Sequence, residues 1–252
     1  VADRCRDAVE VRSLADLADF TGWLSEHRVD GVVGEVGWPG GADERRWRRV
    51  AEAWYDAADG ADLPVTAWAA SAWWPRDYPL ALYRDVGGRL RPAAQAAVVE
   101  RHRSRAGGVL RGVAEASGSF GTDQPGYSAQ SPGTYGEVWT YPSAADLRRL
   151  ATRGHQLLRL AFTWERVQPR LRSPLDEVGL DRLRAAVSAA HAAGLQVLLD
   201  LHSYGRYRVA ADDGSVEELV LGSRQLPAGA LSDVWRRLAA AFRDVPGVWA
   251  TG

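Results

Sequence analysis

The sequence predicts an α/β fold assembled from parallel βα units. Three observations predict it. Amphipathic stretches alternate with short apolar runs along the whole chain, instead of separating into a helical part and a strand part. The run "LQVLLDLHSY" is apolar almost without interruption, as a strand covered on both faces must be. The apolar runs also lead into loops rich in aromatic and ionisable residues, and parallel α/β folds carry their chemistry at those strand ends.

Each element has its own local reason. Leu14 to His27 places Leu17, Phe20 and Leu24 on one face of a helix. "DGVVGEVG" (Asp30 to Gly37) reads as a strand, and Ala42 to Gly60 as a helix stopped by glycine. Leu63 to Trp74 begins as a strand, and Arg91 to Arg103 reads as a helix with Pro92 in its first turn. A short link, "SRAGG", leads to a strand in "VLRGVAEASGSFG". Thr122 to Pro142 is rich in Gly, Pro, Ser and Tyr and reads as a loop too polar for the core. Ser143 with Asp146 forms a capping-box signature for a helix that stops at Gly154. "HQLLRLAFTW" is a strand. Leu180, Leu183, Val187 and Ala190 mark a helix, and Leu195 to Tyr204 continues as a strand. A polar loop reaches about Pro227, a last helix follows over Ala230 to Asp244, and "VWATG" opens a further strand. Five strands of this kind do not close an eight-stranded barrel.

Composition narrows the class of function. The 252 residues suffice for one large barrel or two smaller domains, and a net charge of −1 gives no reason to expect a nucleic-acid partner. The charges in "DERRWRRVAEAWYD" alternate in sign, as on a solvated helix face. No run is long and apolar enough for a membrane span, and no signal peptide is visible after Val1. A single cysteine, Cys5, excludes an internal disulfide framework. Met, Lys, Ile and Asn are absent, a bias expected of a GC-rich coding sequence, and the missing initiator Met reads as a mature product or a fragment. Five scattered histidines show no metal-ligand spacing, and no dinucleotide or phosphate-loop pattern occurs, so no cofactor is expected. Eleven tryptophans are a heavy load, and flat sugar rings stack on exposed indoles.

Several stretches together resemble glycoside hydrolase family 5, the cellulase-type retaining (β/α)8 TIM-barrel enzymes. "LLRLAFTWERVQP" (Leu157 to Pro169) is similar to the family's second strand with its arginine. "VLLDLHSYGRY" (Val197 to Tyr207) is similar to the third, with Ser203 where an Asn is usual. "GVVGEVGWP" resembles the seventh strand with its nucleophilic glutamate, "VTAWAASAWW" the eighth with its tryptophan, and "RGVAEASGSFG" the first. The resemblance departs from the family in order: segments like strands 7–8 (residues 1–103) precede segments like strands 1–3 (residues 109–252), which implies a permuted or incomplete barrel, or a junction of two copies. It also departs in content. The Asn-Glu of the fourth strand, which carries the acid/base, has no match, and strands five and six are unmatched.

The resemblance implies hydrolysis of a β-glucan or related polysaccharide, with Glu35 as nucleophile and Arg159 holding that carboxylate ionised by a charge-assisted pair. It assigns His202 to a sugar hydroxyl or to orienting a carboxylate, Trp68 to the platform under the sugar, and Trp38, Trp74, Tyr204 and Tyr207 to subsite walls. The bland alternatives stay open: a solvated acid at a strand exit for Glu35, a structural ion pair for Arg159 and a satisfied core histidine for His202. Glu165, Asp200 and Glu115 read as support residues, with Glu165 paired to a nearby Arg and Asp200 buried and hydrogen-bonded. The expected partner is an oligo- or polysaccharide, with self-association or a complementing barrel segment to cover open sheet edges. The resemblance implies an extracellular location. A carbohydrate-binding remnant without the acid/base is the rival reading.

Overall fold

The computed structural model describes residues 8–41, 43–87, 90–103 and 108–252. Cys5 and most of the "SRAGG" link therefore lie outside the described residues. The chain divides into two compact units, residues 1–114 with 149–158, and residues 115–148 with 159–252.

The elements of the first unit are α1 (Ala8–His27), β1 (Val33–Val36), α2 (Glu44–Gly60), β2 (Val65–Ala67), β3 (Tyr83–Asp85), β4 (Leu90–Pro92), α3 (Ala96–Arg101) and β5 (Arg111–Glu115). β1, β2 and β5 lie side by side in that order and run parallel, with Val33 opposite Val65 and Ala67 opposite Val113. α2 buries Val50, Ala51, Trp54, Tyr55 and Ala58, one stripe at helical spacing, while its arginines and acids face water. At one end of this unit His102 sits between Asp59 (2.7 Å) and Glu52 (3.1 Å), and Arg111 reaches Asp59 and the Leu63 carbonyl. Burial alone would raise the Asp59 carboxyl; its bonds to His102 and Arg111 outweigh that and hold it below its ordinary value. The helix expected over Arg91 to Arg103 is only α3. Pro92 pairs with Tyr83 in an antiparallel hairpin, and the Gln95 amide donates to the Pro79 and Ala81 carbonyls, so the helix begins at Ala96.

The later elements are α4 (Ala144–Thr152), β6 (Leu157–Phe162), α5 (Trp164–Val167), α6 (Glu177–Ala192), β7 (Gln196–Leu201), β8 (Arg206–Ala210), β9 (Val216–Val220), α7 (Ala228–Phe242) and β10 (Val248–Thr251). In the second unit the strands follow the order β6–β7–β10, with β10 parallel to β7. The capping box forms as expected: the Asp146 N–H donates to Ser143 Oγ at 3.2 Å, and that hydroxyl donates to Asp146 Oδ2 at 2.6 Å. Asp176 caps α6 by accepting the Gly179 N–H at 2.7 Å. Leu183, Val187 and Ala190 of α6, Val197 and Leu199 of β7, and Val234 and Leu238 of α7 are buried.

Two expectations fail in this unit. The polar stretch before Pro227 contains the β8–β9 hairpin, in which only the cross-strand pair Tyr207 and Leu219 is buried, too little apolar alternation for a hydropathy reading to register. The loop over Thr122 to Pro142 is no surface coil, since Tyr127, Ser128, Trp139 and Tyr141 are buried. The reason is Arg166 on α5. Its guanidinium donates to the carbonyls of Pro132 (2.9 Å), Gly118 (2.7 Å) and Phe120 (2.7 Å) and lies over the rings of Tyr127 and Trp139.

Candidate active site

In the first unit, the candidate residues gather at the carboxyl ends of two paired parallel strands. Glu35 lies on β1 and is exposed. Val36 is registered with Ala67, and the Trp68 N–H donates to the Val36 carbonyl at 2.7 Å, so Glu35 and Trp68 leave adjacent strand ends. Gly37 permits this approach, because a Cβ there would fall 2.8 Å from the Trp68 carbonyl oxygen. The half-buried Trp68 indole donates to the Tyr78 hydroxyl at 2.7 Å and meets Trp74 edge-on at 5.5 Å. Trp74 in turn stacks on Tyr78 at 4.1 Å. The peptide between Trp68 and Ala69 is cis. Trp38 does not join this cluster. It is 7% exposed and packs edge-on to Trp54 of α2 (5.7 Å) and beside Tyr55 (5.6 Å), so it is a core residue and no subsite wall.

In the second unit a chain of polar contacts runs out from β6 and β7. Asp200 Oδ2 lies 2.9 Å from Arg159 Nη2 and 2.8 Å from His202 Nδ1, and His202 Nε2 lies 2.8 Å from the Tyr204 hydroxyl. Asp200 is 8% exposed, the buried, hydrogen-bonded residue its sequence context suggests, while Tyr204 is 81% exposed. The His202 N–H donates to the Phe162 carbonyl at 2.8 Å, which fixes the end of β7 against β6. Ser203, standing where the resembling family has Asn, accepts the Trp164 N–H through its Oγ at 3.2 Å. Tyr207 was expected to wall the sugar and does not. It is fully buried, edge-on to Trp164, and its hydroxyl donates to the Gln168 carbonyl at 2.7 Å.

The remaining carboxyl groups are committed elsewhere. Glu165 is 4% exposed and accepts from the Arg208 backbone N–H (2.9 Å) and the Tyr127 hydroxyl (3.1 Å), so its partners are a peptide and a phenol where an arginine side chain was expected. Burial raises its carboxyl above the ordinary range against the pull of those bonds. Glu115 is 2% exposed and accepts from both the N–H (3.2 Å) and the hydroxyl (2.7 Å) of Ser117. Among the described residues, no group of three or more His, Cys, Asp or Glu could hold a metal ion, and no helix is long and apolar enough to cross a membrane. Sequence reasoning missed Tyr78, the hydrogen-bond partner of Trp68. Its only sequence signal was its place in the aromatic stretch that follows β2.

The cellulase model, glycosyl hydrolase family 5, matches residues 117–251, more than half of the chain. Endo-beta-1,4-glucanase B of Emericella nidulans is 27% identical over 152 residues, which are 60% of this chain and 40% of that protein. Endoglucanase gh5-1 of Neurospora crassa is 34% identical over 97 residues, 38% of this chain and 23% of that protein. Among solved structures, the Pseudomonas stutzeri endoglucanase Cel5A in complex with cellobiose is 32% identical, with a TM-score of 0.47, covering 56% of this chain and 38% of that one. The chain thus spans less than half the length of these relatives. Parallel βα units, an arginine-bearing β6, a histidine at the end of β7 and a family match that runs across both place the chain in glycosyl hydrolase family 5, with its (β/α)8 class of fold.

Proposed function

We propose that this chain serves the hydrolysis of β-1,4-linked glucan with retention of configuration, and that Glu35 is the nucleophile. The observation that carries the reading is the position of Glu35: an exposed carboxylate on a parallel strand, with the indole of Trp68 leaving the adjacent strand end. In this scheme a Glu35 oxygen attacks the anomeric carbon as the glycosidic C–O bond breaks, and the departing oxygen takes up a proton from a general acid or, in an activated leaving group, departs as the anion. Water then cleaves the glycosyl ester. Trp68 and Trp74 supply apolar faces for sugar rings in the first unit. In the second unit, Arg159, His202 and Tyr204 supply polar contacts to saccharide hydroxyls. The glucanase relatives support the substrate class, and a secreted setting accords with a polymeric substrate.

One observation favours a second reading, that of a saccharide-binding chain without its own proton donor. Glu165, Glu115 and Asp200 are all buried and hydrogen-bonded, so we assign none of them as the acid/base. Two substrates separate the readings. An aryl cellobioside with an activated leaving group needs little protonation, whereas unactivated cellulose oligomers need the acid. Turnover of both supports a complete hydrolase, and cellopentaose binding with turnover of the aryl cellobioside alone, or of neither, supports the second reading. For the nucleophile, a 2-deoxy-2-fluoro cellobioside should trap a covalent adduct on the peptide containing Glu35. Glu35→Gln should lose turnover by several orders of magnitude while keeping oligosaccharide affinity. An adduct on another peptide, or undiminished turnover in the variant, excludes Glu35 as nucleophile.

A further inference from the structure

Asp200 lies in neither the proposed nucleophile nor the substrate walls, yet one of its oxygens faces two of the polar residues assigned above. A carboxylate only accepts hydrogen bonds, and a guanidinium only donates. Arg159 Nη2 at 2.9 Å and His202 Nδ1 at 2.8 Å must therefore both direct N–H groups at Oδ2. Arg159 Nη2 and His202 Nδ1 are themselves 3.5 Å apart. With a proton on each they form no bond to one another, and the shared oxygen is what draws them together. A neutral imidazole with its proton on Nδ1 has its lone pair on Nε2, and there the Tyr204 hydroxyl stands at 2.8 Å as donor. The anchor is shielded, with side-chain exposures of 12% for Asp200 and 13% for Arg159 and His202, whereas Tyr204 at the outer end is open.

We infer that Asp200 is a positioning residue. It fixes Arg159 and His202 about one oxygen and sets His202 as the Nδ1–H tautomer, so that Nε2 is presented outward as a hydrogen-bond acceptor. The ligand chemistry follows. A saccharide hydroxyl that displaces the Tyr204 phenol is received as a donor, and a sugar whose hydroxyl there is methylated or removed is refused. The role rests on the reading of His202 and Arg159 as substrate-facing, but the tautomer does not.

The experiment uses the full chain labelled with 15N-histidine. Long-range 1H–15N correlation spectra should show His202 with a protonated Nδ1 and an unprotonated Nε2. Asp200→Asn should move the proton to Nε2 and weaken cellopentaose binding about tenfold or more, with the thermal melt still cooperative. Tyr204→Phe should leave the Nδ1 proton in place and shift the Nε2 resonance to that of a nitrogen that has lost its donor. Because that substitution is at an exposed position, it keeps the test available should Asp200→Asn fail to fold. A wild-type ring protonated on Nε2, or a ring spectrum unchanged in Asp200→Asn, overturns the inference. A wild-type tautomer as expected together with no cellopentaose binding defeats the functional reading and the positioning role with it. Unchanged affinity in a folded Asp200→Asn whose tautomer has switched overturns the positioning role alone.

Discussion

Residue identity and residue direction part company at the aromatic positions. Trp68, at the end of β2, and Trp74 are half-buried, and Tyr204 is open to solvent. Trp38 and Tyr207 carry equally suitable rings and point inward. Trp38 finds two aromatic partners, Trp54 and Tyr55, and Tyr207 finds the edge of Trp164 and a carbonyl for its hydroxyl. No short-range signal separates the two groups, because each follows a strand or turn in a stretch of mixed polarity. The consequence for Tyr207 is measurable. Tyr207→Phe removes one buried hydrogen bond and should cost about 1 kcal/mol, whereas Tyr207→Ala empties a ring-sized space and should cost about 3–5 kcal/mol. Urea denaturation of the full chain checks both values. Cellopentaose affinity should be the same in Tyr207→Phe as in the wild type, and a loss there would restore Tyr207 to the sugar site.

At the scale of elements, the helices and buried strands were the legible part. α1 and α6 follow the apolar spacing that predicts them, α2 and α7 form where the sequence reads as helical, and α4 begins at its capping box. The β3–β4 and β8–β9 hairpins and the buried loop between β5 and α4 were not legible, since long-range bonds stabilise them in place of local apolar pattern. The loop is the clearest case. Three of its carbonyls have a common donor in Arg166, and burial pulls that guanidinium's proton affinity below the ordinary arginine value. Arg166→Ala would strand three carbonyls and two ring faces at once. Each buried acceptor left unmade costs about 1–3 kcal/mol, so the loop should lose order as a unit. Hydrogen exchange should then speed up by more than a hundredfold over residues 117–142, while α2 exchanges as before. Uniform acceleration across the chain would instead assign Arg166 to global stability.

At the scale of the whole molecule, stability is tied to pH through a histidine that has no part in the proposed chemistry. His155 is 3% exposed in the first unit, and its Nε2–H donates at 2.7 Å to the Tyr83 hydroxyl, which itself donates to Glu100 at 3.0 Å. Burial, aided by the charge of Arg153, pushes His155 down to about 4 from 6.5. Above 6.5 the ring is neutral whether folded or unfolded, and it contributes no pH dependence. As the pH falls from 6.5 toward 4 the unfolded chain takes up a proton that the folded chain refuses, so stability declines, by roughly 3 kcal/mol in total. Below about 4 both forms are protonated and this contribution levels off. Denaturation midpoints measured between pH 7.5 and 4 should follow that slope, and His155→Gln should flatten it. An identical slope in the variant would place the dependence on another group.

The sequence by itself determined the parallel βα class, most helix positions, the capping box of α4 and the family to which the chain belongs. These rest on local spacing and on residue types that keep their meaning wherever the chain goes. Only the tertiary structure decided that Trp38 and Tyr207 are core, that Glu165 answers to a peptide and a phenol, and that one oxygen of Asp200 holds both Arg159 and His202. The physical reason is the same in each case. A side chain's neighbours arrive from distant segments, and a polar or aromatic group takes its role from the partner that satisfies it when water is excluded.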